Sequence, residues 1–231
     1  MALPPEKGDS RLMREMFAKI APRYDSITRL LSYGMDGRWK RLGVDRAALP
    51  KNARILDLAG GTGDFSLLIS QRLPESQSIV VDLTERMLQL ARSRGLTNTV
   101  CADATSLSFA DSTFDAVFVG YGLRNFPDLP AALREIERVT RSGGWLVSLD
   151  FFLPRNFLLR EIFLAYLYLQ GSLWGILLHG RPRVYSYISS SLRSFVSMDE
   201  LSRSLRAMGY KRVDSRPFIF GGIGLHWAEK G

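Results

Sequence analysis

A run of glycines and two carboxylates are spaced as a nucleotide-like ligand would require. Gly60, Gly61 and Gly63 follow an apolar stretch at residues 54–58, and a helix-like segment from Phe65 to Arg72 comes next. Strand, tight loop and helix in that order form the place where doubly wound α/β proteins bind nucleotides. Glycines let the backbone turn sharply and come close to a ligand. Asp82 closes the next apolar run, 78–82, at a distance from the loop that suits an acid gripping ribose hydroxyls. Asp103 and Ala104 follow a third strand-like run, 97–101, where a carboxylate can meet an adenine amino group.

The loop chemistry separates two ligand classes. A nicotinamide dinucleotide wants a third glycine where this chain has Ser66, and it sets a pyrophosphate on the helix N-terminus. That end carries Asp64, with Asp57 nearby, and two carboxylates repel a pyrophosphate. They are compatible with S-adenosylmethionine, whose charged groups are a sulfonium and an ammonium beside a carboxylate. Asp64 serves equally well as a helix cap, and the loop alone does not decide between the two roles.

A second loop follows the fourth strand-like run: Gly120, Tyr121, Gly122, Leu123, Arg124, Asn125, Phe126. Ligands in open α/β sheets lie beyond the carboxyl ends of the strands, which is where this loop falls. Arg124 beside Asn125, among glycines and aromatics, is unusual for a connector. The alternative is a surface ion pair for Arg124.

The elements that must position these residues show as alternating periodicity. Strands are expected near 54–58, 78–82, 97–101, 114–120 and 144–149, and helices near 64–72, 84–94 and 129–140, the last opening at Asp128 before Pro130. Strands alternating with helices imply a parallel sheet covered on both faces. An N-terminal helix is expected over 10–21, with Leu12, Met13, Met16, Phe17 and Ile20 at helical spacing and Pro22 disfavouring continuation. Ser197 with Glu200 reads as a capping box that opens a helix to about Met208, followed by strands near 210–216 and 218–228.

Residues 156–179 break the rhythm with an almost continuous apolar run. Its length approaches that of a membrane span, but Arg160, Glu161, Gln170 and two glycines oppose it, since a mid-membrane charge costs about 2.5–3.5 kcal/mol. The expectation is a buried helical cap over the sheet. A wall of a greasy pocket, or a face dipping into lipid, is the functional version.

Composition sets the outer bounds. The 231 residues make one domain with a full core, and the apolar and charged fractions are those of an ordinary soluble protein. The net charge of +8, from 31 basic and 23 acidic residues, permits an anionic membrane surface or a nucleic acid. The basic residues are scattered without a defining run, which disfavours nucleic acid. The opening residues lack a secretory pattern and the expected compartment is the cytosol. The single cysteine, Cys101, excludes an internal disulfide and is expected to be a buried strand residue. His179 and His226 have no ligand-spaced partners, so no metal site is expected.

Several motifs together resemble the C-methyltransferases of ubiquinone and menaquinone biosynthesis. They are Met16 and Phe17 through Tyr24 and Asp25; Leu31 to Gly34 with Arg38, Trp39 and Lys40; Leu56 to Asp64; Tyr121 to Asn125; Tyr185 with Tyr187; and Gly221, Gly222 and His226. They cover nearly the whole chain. The resemblance implies a class I S-adenosylmethionine-dependent methyltransferase, a Rossmann-like doubly wound α/β sheet with a helical cap. It implies a single domain over 1–231: an N-terminal helical part of the acceptor site at 1–50, a donor-binding core at 51–150, an apolar helical insert at 151–196, and a C-terminal helix and strands at 197–231. The donor is S-adenosylmethionine and the acceptor a polyprenylated hydroquinone, most simply demethylmenaquinol; a ubiquinone-pathway benzoquinol or a small molecule of secondary metabolism is the alternative. Carried over by position, Gly61, Thr62, Asp82, Asp103 and Ala104 contact the donor, while Arg124, Asn125 and Tyr24 face the ring. Tyr24, Asp150 and His226 are candidate proton relays. The chain departs from the family at Gly120, where a serine is common, at Met35 to Gly37, at Val196 in place of a proline, and at Asp150 in place of glutamate. Membrane contact, where expected, is peripheral, at the inner face.

Overall fold

The computed structural model describes residues 10–179 and 187–231. Seven strands form one sheet: β1 (Arg54–Leu58), β2 (Gln77–Asp82), β3 (Thr99–Cys101), β4 (Phe114–Gly120), β5 (Thr140–Phe151), β6 (Tyr210–Phe218) and β7 (Ile223–Lys230). Their order is β3-β2-β1-β4-β5-β7-β6, with β7 antiparallel to both neighbours and the other pairs parallel. The expected doubly wound sheet is present, and its chain order steps outward in both directions from β1 and β4. A crevice therefore opens at their carboxyl ends.

The side-chain alternation of the strands splits the core in two. Ile55, Ala116, Phe118, Val147 and Leu225 face one side, where they meet α1 (Ser10–Ile20), α2 (Tyr24–Leu31), α3 (Asp36–Arg46), α4 (Asp64–Arg72), α7 (Phe157–His179) and α8 (Tyr187–Arg193). Leu56, Leu58, Val117, Leu146 and Ala228 face the other, against α6 (Leu129–Val139) and α9 (Met198–Ala207). The remaining helix, α5 (Glu85–Ser93), packs on β2 and β3. Both capping signals hold: Asp128 accepts from the Ala131 amide, and Ser197 and Glu200 cap α9 reciprocally.

Several expectations change. The N-terminal helix stops at Ile20; Ala21–Arg23 tighten into a 3-10 turn around Pro22, and α2 starts at once from Tyr24. Cys101 is exposed, not buried, because β3 is the edge strand of the sheet. The apolar run is one long helix, α7, but not a buried cap. Phe163, Leu164 and Leu167 are buried, while Phe157, Leu158, Ile162, Leu169, Leu173, Ile176 and Leu177 are exposed on the far side. Gly222 lets that helix dock, since a Cβ there would stand 2.4 Å from Phe163 Cζ. Among the described residues no helix is long and apolar enough to cross a membrane. Tyr185 of the aromatic motif lies outside the described residues.

Candidate active site

The two loops at the carboxyl ends of β1 and β4 flank a cavity. Ala59, at φ 50°, and Tyr121, at φ 59°, hold left-handed backbone that non-glycine residues rarely adopt. Strain of this kind persists only where the surroundings impose it. At Gly60 a Cβ would lie 2.8 Å from both Val80 and Asp57, so only glycine lets β1 turn this tightly.

The cavity is lined on one side by Gly61, Asp82, Thr84, Asp103 and Ala104, and on the other by Tyr24, Tyr121 and Asn125, with Met13, Phe17 and Phe126 among the apolar walls. Asp82 Oδ2 accepts the Gly61 amide at 3.0 Å, and Oδ1 accepts the Thr84 amide at 2.8 Å. Each oxygen keeps a lone pair for a further donor. Lost solvation pushes the Asp82 carboxyl up to about 6 against the pull of those two amides. Asp103 Oδ1 is held by Thr105, through its amide at 2.9 Å and its hydroxyl at 2.7 Å. Asn125 donates to the Tyr121 carbonyl at 3.2 Å, and its buried Oδ1 has no hydrogen-bond partner.

Arg124 is placed differently from its neighbour. It is buried and lines a smaller adjoining cavity with Tyr24, Tyr121, Phe151 and Ile188. Tyr24 and Tyr121 belong to both cavities and stand between them. Arg124 Nη1 donates to Asp150 Oδ1 at 2.6 Å and to the Tyr121 carbonyl at 2.9 Å, and the Arg124 amide reaches Asp150 Oδ2 at 3.2 Å. Burial drives the Asp150 carboxyl up and the guanidinium pulls it back; the net displacement is upward. The surface ion pair considered for Arg124 is thus a buried one. The Arg124 cavity takes its wall from Ile188 of α8, and α7 lines neither cavity.

Other expected residues lie outside. Thr62 does not line the cavity; its hydroxyl donates to Asp25 Oδ1 at 2.7 Å. Asp64 also turns away, bonded to Lys40 Nζ at 2.7 Å and Arg94 Nη1 at 2.8 Å. Asp57 is buried beneath the loop, accepting the Ser66 amide and hydroxyl at 2.9 Å each; burial pushes it up to about 7. Neither carboxylate lines the cavity, so the repulsion of a pyrophosphate expected of them does not arise there. A serine at position 120 would press on Phe65, as a Cβ there would stand 3.2 Å from that ring. His226 is buried on the α9 side, its Nε2 3.1 Å from the Met198 carbonyl; burial lowers it to about 4. It lies in neither cavity, so the relay expected of it has no path there.

A residue the sequence named only within a motif, Lys40, stands beside the loop with a defined partner set. Lys40 is buried between Asp36 and Asp64, with Nζ 2.7 Å from each. Burial alone would lower Lys40, but the two carboxylates outweigh it and hold it above the ordinary lysine value. Its i,i+4 spacing from Asp36 was the signal for that pair. Among the described residues no cluster could hold a metal.

The chain matches the model of the ubiE/COQ5 methyltransferase family over residues 6–230. A demethylmenaquinone methyltransferase of Thermus thermophilus is 38% identical over 220 residues, 93% of this chain and 100% of that one. A Geobacter sulfurreducens protein, ubiquinone/menaquinone biosynthesis C-methyltransferase UbiE, is 36% identical over 238 residues, 98% of this chain and 90% of its own. Among solved structures, a SAM-dependent methyltransferase of Thermotoga maritima superposes with a TM-score of 0.68 at 20% identity, covering 95% of this chain and all of the other. That likeness fixes the fold as the class I methyltransferase fold.

Proposed function

We propose, from the premise that this chain belongs to the ubiE/COQ5 methyltransferase family, that it methylates a ring carbon of a polyprenylated hydroquinone, with demethylmenaquinol as acceptor. The methyl donor is S-adenosylmethionine. The observation that carries the site assignment is one cavity that joins Gly61, Asp82, Asp103 and Ala104 to Tyr24 and Asn125.

The donor side fits an adenosyl group. Gly61 leaves open space toward the cavity, the nearest atom to a Cβ there being Met87 Sδ at 3.9 Å. Asp82 would accept from ribose hydroxyls and Asp103 from the adenine amino group. When bound, the donor supplies an electrophilic methyl on a sulfonium.

The acceptor side must make a weak carbon nucleophile strong. A phenol has a pKa of about 10, and losing its proton sends electron density to the ortho carbon. Arg124 is no base, since a guanidinium stays charged above about pH 12. Asp150 lines neither cavity and holds the guanidinium in place from behind. Arg124 stabilises the phenolate as a water takes the phenolic proton. Asn125, with its unpartnered Oδ1, orients a ring hydroxyl. Tyr24 and Tyr121 separate the two cavities, so the ring enters between them, and holding it aligned supplies much of the rate.

The exposed apolar side of α7 and the +8 charge support peripheral docking on an anionic bilayer, at the cytoplasmic face, where a polyprenylated substrate resides. Incubation with labelled donor and detergent-solubilised prenylated naphthoquinols and benzoquinols tests the function. A methylated naphthoquinol is expected. Methylation of benzoquinols alone moves the acceptor to the ubiquinone pathway, a reading the name of the Geobacter relative keeps open. Donor binding without turnover on any prenylated quinol overturns the proposal.

A further inference from the structure

The outer side of the glycine loop carries a chain of charges that the methyl-transfer chemistry leaves unused. From inside outward it runs Asp36, Lys40, Asp64, Arg94, Asp25. Arg94, just past the end of α5, has Nη1 2.8 Å from Asp64 Oδ1, 3.0 Å from the Thr62 carbonyl and 3.3 Å from Asp25 Oδ2. Asp25 Oδ1 receives the Thr62 hydroxyl at 2.7 Å. Four helices and the loop thus meet at one row of side chains: Asp25 on α2, Asp36 and Lys40 on α3, Asp64 at the start of α4, Arg94 after α5, and Thr62 between them.

Asp25 is the residue next to Tyr24, and the segment that carries both supplies Met13, Phe17 and Tyr24 to the cavity wall. Gly61, on the donor side, is the residue next to Thr62. The row therefore ties the N-terminal wall of the cavity to the loop that receives the donor. Its two halves differ. Lys40 and Asp36 have 7% and 14% of their side chains exposed, and Asp64 is held below the ordinary carboxylate range because Lys40 and Arg94 outweigh its burial. Arg94 and Asp25 are 34% and 47% exposed. The inner half is an anchor. The outer half is a solvent-reached strap whose loss leaves the core packing intact.

We infer that Asp25 and Arg94 are positioning residues that set the α1–α2 wall against the glycine loop and thereby determine donor affinity. The inference rests on the donor assignment above. Calorimetric titration of S-adenosylmethionine into the full-length protein and its Asp25→Asn, Arg94→Gln and double variants tests it, with melting temperatures measured alongside. Asp25→Asn keeps an acceptor for Thr62 and replaces the charged oxygen that accepts from Arg94 with an uncharged NH2. Each single variant should bind the donor about fivefold to twentyfold more weakly, and the double no more weakly than the worse single, the mark of two groups acting as one. Arg94→Lys should recover part of the affinity. Unchanged donor affinity in both single variants, or a lowered melting temperature with unchanged affinity, overturns the strap, as do losses that simply multiply in the double. Wild-type protein that fails to bind the donor overturns the donor assignment itself, a result readily told apart from the others.

Discussion

Arg124 cannot be removed without stranding Asp150. The two are fully buried partners, and truncating one side of such a pair costs about 3–5 kcal/mol of stability. Arg124→Ala should thus lose about 2–4 kcal/mol of transition-state stabilisation and much of the fold's margin together. Arg124→Lys separates the effects. It keeps the charge against Asp150 but not the planar fork. It should bind the donor normally and turn over more slowly, with partial rescue as pH approaches the phenol's own pKa. Normal turnover in Arg124→Lys across the pH range would leave the guanidinium a structural role. Asp82 offers a second residue-level test. Its carboxyl is pushed up to about 6, and only the ionised form accepts from two hydroxyls at full strength. Donor affinity should fall as pH drops through about 6. Asp82→Ala should cost roughly 1.5–3 kcal/mol of binding at pH 8 and flatten that dependence. Calorimetry between pH 5 and pH 8 reads both effects.

Among the elements, α7 shows how one sequence run can carry two environments. Its inner side is anchored by Phe163 over Gly222, and its outer side presents Leu169, Leu173 and Ile176 to solvent. Substitutions on the two sides should therefore diverge. Phe163→Ala leaves a hole beside Gly222 and should cost about 3–5 kcal/mol in denaturant titration. Leu169→Ser with Ile176→Ser removes only exposed surface and should leave stability within about 0.5 kcal/mol of wild type. The same double variant should float less with anionic vesicles, because part of the apolar area that would enter the bilayer is gone. Unchanged flotation would mean that α7 is not the docking element.

Across the whole molecule, two buried groups pull stability in opposite directions with pH. His226 is held neutral, with its pKa lowered to about 4 by burial, so stability is lost as pH falls from about 6.5 towards about 4. Asp57 is raised to about 7, so folding favours its protonated form and stability is lost as pH rises from its unfolded value, about 4, through about 7. Between about pH 4 and pH 6.5 these two contributions oppose each other. Asp57→Asn keeps an acceptor for Ser66 and removes the buried charge. It should be more stable than wild type at pH 8, by roughly 2–4 kcal/mol, with the gain vanishing near pH 4. Urea titrations at the two pH values check this; an equal effect at both would mean that Asp57 is not the titrating group.

The sequence by itself determined the glycine loop, the alternation of strands and helices, the α9 capping box and the family motifs. Those features depend on residues a few positions apart, where backbone geometry and periodicity leave little choice. It also pointed to Asp82, Asp103 and Asn125, which line one cavity because the carboxyl ends of parallel strands converge, and through the family motif to Tyr24, which lines the same cavity. Only the tertiary structure decided which charges face one another. Lys40 meets Asp64 across 24 positions, Arg124 meets Asp150 across 26, and Arg94 meets Asp25 across 69. Those distances in sequence close only when the strand order is set. The same order put Cys101 on an exposed edge, turned Asp57 and Asp64 away from the cavity, and left one side of α7 open. Burial and pairing are properties of neighbours in space, and the strand order, not the local pattern, chooses those neighbours.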